Sequence, residues 1–139
     1  MMITYLLSLV WIGALIGVSF LATPVKFQAE SLTLPVALEV GRVTFRLFSK
    51  VECMLGIALL LASIRGSAGQ FNIAAISTAG ACLGILALQA FWVRPHLDAR
   101  VERVISGETP PPSVGHKVYV TLEVAKLALL IATAAAAWG

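Results

Sequence analysis

The chain has 139 residues, 59% of them hydrophobic and 12% charged, with a net charge of +3 and a mean hydropathy of +0.93. Soluble domains carry roughly 25% charge, so this composition excludes an ordinary water-soluble fold. It also excludes a nucleic-acid binder, because the basic residues border apolar runs instead of forming a free patch.

The length suits a single domain, 1–139. Several apolar runs reach the ~20 residues that cross a bilayer as helix. The expected fold is therefore all-α, an integral membrane four-helix bundle made of two helical hairpins.

The first predicted helix runs over about 3–22. It lacks a basic segment before its apolar run, and that run is too long for a signal peptide, so it is expected to stay as a span. Gly13 and Gly17 stand four apart, a spacing that lets membrane helices approach closely. Trp11, in mid-span, reads as a packing residue. Thr23 and Pro24 are expected to end the helix, leaving a loop over 23–34.

The second helix is predicted over about 35–64, with Pro35 in its first turn, where a missing N–H costs little. Some 30 residues make a helix of about 45 Å, longer than the ~30 Å hydrocarbon layer. Its first turns should project from the membrane. Arg42, Arg46 and Lys50 recur every four residues and so share one helix face. Glu52 follows, and then a wholly uncharged run.

A short turn is expected over 65–72, and a third helix over about 73–93. The third helix carries a second glycine pair, Gly80 and Gly84, and the polar Gln89. Arg94-Pro95 is expected to close it. The loop 94–113 is charged and in part helical, and ends in a stiff Pro110-Pro111-Pro112 run. Ser113 is a candidate N-cap for a fourth helix over 114–138. Cys53 and Cys82 lie in apolar runs and read as small buried hydrophobes. There is no CxxC or Cys/His cluster of zinc spacing.

Nine of the ten Lys and Arg residues lie in the two charged loops or the helix ends nearest them; Arg65 is the exception. By the positive-inside rule those loops are cytoplasmic, both termini face the outer side, and the location is the cytoplasmic (inner) membrane. Shifting the chain by 71 residues superposes Gly13 on Gly84, Pro24 on Pro95, Phe48 on Tyr119 and Glu52 on Glu123 without a gap. This is compatible with a parallel repeat.

Glu52 and Glu123 are the leading candidates for chemistry. Each lies roughly 20 Å from the outer end of its helix, inside the hydrocarbon layer, where a charge costs a few kcal/mol or more and normally faces a partner, water or the protein interior. Lys126 shares a helix face with Glu123. Glu52, Glu123, Lys126, Lys50 and Gln89 therefore form a candidate intramembrane polar site. It reads either as an ion-pair network that fixes helix packing or as a binding site for a proton, a cation or a solute.

His96 and His116 flank the second charged loop and are a weaker candidate for a metal or haem site. No His pair lies within the apolar spans. Arg42, Arg46, Arg94 and Lys117 are candidate contacts to lipid head groups. No Walker loop, GxGxxG, HExxH or nucleophile motif is present, so no catalytic residue is assigned and an enzyme is not the leading reading.

The segments VWIGALIGVSFLATPVKFQAE and LPVALEVGRVTFRLFSKVE resemble the small CopD-like four-helix membrane proteins. That group includes copper-resistance domains, small bacterial proteins with a domain of unknown function, and a membrane-bound protoporphyrinogen oxidase. The resemblance implies a four-helix membrane fold. Copper handling would call for His or Met in the spans, where this chain has Met1, Met2 and Met54; the oxidase would call for a histidine in helix 1, which has none. The resemblance therefore points to the uncharacterised bacterial branch.

The leading expectation is binding or transport of a small ion or solute through the polar site, with the lipid bilayer and a second copy of the chain as partners. One alternative is a structural or assembly protein that docks partners through charged cytoplasmic loops. The other is a membrane redox protein using haem or copper. No cofactor is predicted for the first two.

Overall fold

The computed structural model describes residues 1–65 and 71–138. Within them the chain is all helix and loop, with no strand. Four helices, each long and apolar enough to cross a membrane, make up the fold: α1 (Met2–Lys26), α2 (Leu34–Arg65), α3 (Ile73–Ile105) and α4 (Gly115–Trp138). α1 packs against α2 and α4, and α3 packs against the same two. Most of the turn expected over 65–72 lies outside the described residues.

Each helix buries one narrow stripe. In α1 it is Thr4, Ser8, Trp11 and Leu15. In α2 it is Ala37, Gly41, Phe48, Glu52, Gly56, Leu59 and Ser63. Ala75, Ala79, Cys82 and Leu86, then Gln89 and Val93, form it in α3. In α4 it is Tyr119, Glu123, Lys126, Leu130, Thr133, Ala134 and Ala137. Steps of three and four residues keep one face of a helix toward its neighbours. The stripes are rich in small and polar residues, whereas Leu6, Val10, Leu47, Met54, Ile57, Leu61 and Phe91 point outward. Lipid tails are as apolar as leucine, so helices in a membrane associate through close packing and hydrogen bonds instead of hydrophobic burial.

Both odd-numbered helices run past the proline expected to end them. α1 continues through Pro24 to Lys26, and α3 continues through Pro95 to Ile105. The reason is the same in each. Residues Ile16–Ala22 and Gln89–Val93, just before the prolines, are π-helical. A proline lacks the N–H for the usual helical bond, and its ring crowds the carbonyl four residues back. The wider turn relieves that crowding. Thr23 helps in α1, its hydroxyl donating to the Val18 carbonyl at 2.8 Å. The loop expected over 94–113 is thus helical through Ile105, and only its later part connects to α4.

The glycine pairs do not pack the helices of one chain together. Gly13, Gly17, Gly80 and Gly84 each have open space where a Cβ would project, because they sit off the buried stripes. The close approaches are elsewhere. At Gly56 a Cβ would meet Leu83 of α3 and come within 3.0 Å of the Trp11 ring. Cys53 is exposed and Cys82 buried, so the reading of both thiols as buried holds for Cys82 alone.

Capping fixes the helix ends. The Asn72 side chain accepts the Ala75 N–H at 3.0 Å and donates to the Ala136 carbonyl of α4 at 3.2 Å. The Tyr5 and Trp138 rings meet at 4.9 Å, fastening α1 to α4 at the same end. At the other end the Ser113 hydroxyl accepts the Gly115 N–H at 3.1 Å.

Candidate functional site: a buried Glu–Lys–Glu cluster beneath a cavity

Polar side chains from all four helices meet at one level. The Lys126 ammonium lies 2.7 Å from Glu52 Oε1 and 2.7 Å from Glu123 Oε1. Glu123 is on its own helix, one turn back; Glu52 is across the protein on α2. Trp11 of α1 donates its indole N–H to Glu52 Oε1 at 3.0 Å. Gln89 of α3 donates to Glu123 Oε1 at 2.8 Å, and Ser19 of α1 donates to Glu123 Oε2 at 2.6 Å. All four helices thus contribute. Lys126 is wholly buried, Glu52 1% exposed and Glu123 2%, so each charge depends on its partners and not on water.

The cluster holds two carboxylates and one ammonium. Fully ionised, it carries one uncompensated negative charge, which a bound proton or cation would neutralise. The Gln89 carbonyl oxygen, also buried, has no hydrogen-bond partner. A buried acceptor left unmade costs about 1–3 kcal/mol, so the cluster retains capacity for one further donor.

The two carboxylates differ in access. Ser19 and Glu123 line a cavity of about 680 Å³ whose wall extends to the charged ends of the helices. Glu52 and Trp11 do not border it. Lys26, Arg42, Arg94 and Arg100 line the cavity alongside Asp98, and His116 is also on its wall. Most of the remaining wall is apolar, including Phe20, Leu38, Phe45 and Leu97. Tyr119, one turn before Glu123, is buried with its ring edge-on to Phe45 at 5.3 Å.

Of the residues expected to form the polar site, Glu52, Glu123, Lys126 and Gln89 come together. Lys50 does not; it is exposed on α2, because the stripe passes through Phe48 and Glu52 instead. The basic residues proposed for lipid head groups are mostly paired within the protein. Arg42 donates to Glu102 at 2.6 Å, Arg46 lies 3.7 Å from Asp98, and Arg94 donates to the Ser49 hydroxyl at 2.8 Å. Lys117 remains exposed. The Arg42 and Arg46 pairs became possible because α3 extends beyond Pro95 alongside the first turns of α2.

His96 has its Nδ1 2.7 Å from the Trp92 carbonyl oxygen, whereas His116 faces the cavity. Among the described residues, no three His, Cys, Asp or Glu side chains stand close enough to hold a metal ion. Two contributions were not singled out from the sequence, Ser19 and the hydrogen-bonding role of Trp11; Cys82, read as a buried hydrophobe, places its thiol 3.9 Å from the Lys126 carbonyl. The available signal was a hydroxyl or indole on the stripe of an otherwise aliphatic helix.

No curated protein and no solved structure matches this chain. A family described as a domain of unknown function, DUF4149, matches residues 6–103, which include Trp11, Ser19, Glu52 and Gln89 but not Glu123 or Lys126. The chain belongs to the DUF4149 family.

Proposed function

We propose that the protein is a multi-pass protein of the cytoplasmic membrane that binds or carries a small ion or solute through the Glu123 end of the buried cluster. The observation that carries this reading is the placement of Glu123. One of its oxygens is held by Lys126 and Gln89 and the other by the Ser19 hydroxyl alone, and both Glu123 and Ser19 line the cavity. A buried carboxylate held by an ion pair on one oxygen and by a single hydroxyl on the other can exchange a proton or cation by turning that hydroxyl aside, without dismantling its ion pair. The basic surplus at the cavity end favours a cytoplasmic mouth and both termini outside. The two-hairpin arrangement and the resemblance to CopD-like proteins are compatible with this reading. The outward-facing pairs Gly13/Gly17 and Gly80/Gly84 favour contact between copies of the chain.

The test is flux in proteoliposomes. Protons and alkali cations are followed with a pH dye and ion-selective dyes, comparing wild type with Glu123→Gln. Loss of flux in a variant that still elutes as a folded, monodisperse species supports the proposal. Equal flux in both proteins, or none above empty vesicles under any gradient, contradicts it.

One observation favours a structural role instead. Arg42–Glu102 and Arg46–Asp98 bind the extension of α3 to α2, giving a braced, charged platform on which a partner can dock. Under that reading Glu123→Gln alters stability, and no ion moves in either protein.

A further inference from the structure

The cavity contains two cationic donors that the protein leaves without acceptors. The Lys26 amine rests over the Phe27 ring at 5.2 Å and against Gly41. It makes no hydrogen bond or ion pair among the described residues. The Arg94 Nε–H is buried without a partner, although the same guanidinium donates to Ser49 from Nη2. Both side chains line the same space. The other charged groups of the wall are engaged: Arg42 with Glu102, Asp98 with Arg46, and Glu123 with Lys126, Gln89 and Ser19. Arg100 donates to the Pro111 carbonyl.

Gly41 is part of the arrangement. Any Cβ at that position would collide with the Lys26 amine, so the absence of a side chain there is what lets the amine lie inside the cavity. The cavity's size falls within the range of small-molecule sites, ≈ 300–1,000 Å³. Its walls are mostly apolar, so a bare inorganic anion would satisfy the two donors and leave the rest of the space unfilled. A ligand with an apolar body and one anionic head satisfies both.

We propose that this cavity binds an anionic amphiphile, its carboxylate or phosphate head between Lys26 and Arg94 and its apolar part along Phe20, Leu38, Phe45 and Leu97. This rests on the cavity described under the proposed function and names the class of solute its Lys26 and Arg94 wall takes, apart from the proton or cation exchanged at Glu123. The same chemistry has two sources, the head group of an anionic membrane lipid and a free single-chain acid.

The test is equilibrium binding of radiolabelled dodecanoate and dodecyl phosphate to the full chain in phosphatidylcholine nanodiscs, above the partition into empty discs. Neutral dodecyl maltoside and dodecyltrimethylammonium serve as competitors. Both acids are expected to bind saturably and not to be displaced by either competitor. Lys26→Gln and Arg94→Gln should each weaken binding about tenfold, as loss of one charge-assisted donor does. Lys26→Arg should keep affinity within about threefold, and Lys50→Gln, which removes the same charge outside the cavity, should leave it unchanged. If Arg94→Gln does not fold, Lys26→Gln against Lys26→Arg carries the comparison.

Displacement of the acid when phosphatidylglycerol is added to the disc identifies a lipid head group as the ligand; failure to displace it identifies a free acid. No saturable binding, equal displacement by the cationic amphiphile, or an equal effect of Lys50→Gln overturns the inference. No gradient is present, so binding without flux would contradict only the transport reading, and flux of a small cation without amphiphile binding would contradict only this one.

Discussion

Glu52 and Glu123 lie 71 residues apart in sequence, occupy corresponding places on α2 and α4, and share one ammonium ion. They nevertheless have different surroundings. Glu52 is closed in by Trp11 and Lys126. Glu123 is held by Lys126, Gln89 and Ser19 at the base of a cavity. A large indole covers the first and a small hydroxyl the second, and the size of the α1 residue at each position accounts for the difference in access. On the proposed function, the Glu52 side is the anchor and the Glu123 side the working face.

The largest effect should come from removing the shared cation. Lys126→Met leaves two buried carboxylates without a counter-charge, and breaking a buried pair costs about 3–5 kcal/mol. Little folded protein is expected, and thermal unfolding in detergent would show it. Wild-type stability in this variant would mean that both carboxylates are neutral in the native protein.

Gly56→Ala should come next. The new Cβ meets Leu83 and the Trp11 ring, and overpacking of this kind costs about 1–3 kcal/mol. Because it displaces the ring that covers Glu52, it should also admit water to the closed side. Hydrogen–deuterium exchange along α2 would report both consequences.

Trp11→Phe retains an aromatic ring and deletes only the N–H donated to Glu52. A loss of about 0.5–1.5 kcal/mol is expected, with any flux through Glu123 preserved. A loss of flux at unchanged stability would mean that the two sides work together. The smallest effects belong to Gly13→Ala and Gly84→Ala, within about 0.5 kcal/mol for the folded monomer, since nothing lies near either Cβ. Their readout is oligomeric state by native mass spectrometry, and a shift toward monomer would locate contact between copies on these faces.

The four long apolar helices were legible because an uncharged apolar run of ~20 residues matches the thickness of a bilayer and is too long for most buried core helices. The meeting of Glu52, Glu123, Lys126 and Gln89 was legible because polar groups within such apolar runs need partners. Lys50 was misplaced because charge spacing alone does not say which side of α2 faces inward; the stripe Gly41, Phe48, Glu52, Gly56 does. For the same reason the spacing of the glycine pairs did not say whether they face helices of one chain or another copy; they lie off the stripes of α1 and α3. The helices that pass through Pro24 and Pro95 were not legible, because π-helical hydrogen bonding leaves no strong residue preference to read. The paired state of Arg42 and Arg46 followed from that extension and was hidden with it.

The most direct test of the difference between the two carboxylates is thiol accessibility. In a background with Cys53 and Cys82 replaced by alanine, single cysteines are placed at Ser19, beside Glu123, and at Ser8, on the closed part of the α1 stripe. Each is then exposed in membrane vesicles to a water-soluble maleimide applied from the side of the charged loops. Ser19→Cys is expected to be labelled and Ser8→Cys not, and dodecanoate should slow labelling at position 19. Equal labelling of both, or labelling at position 8 alone, would contradict the distinction, because Glu123 would then have no access that Glu52 lacks.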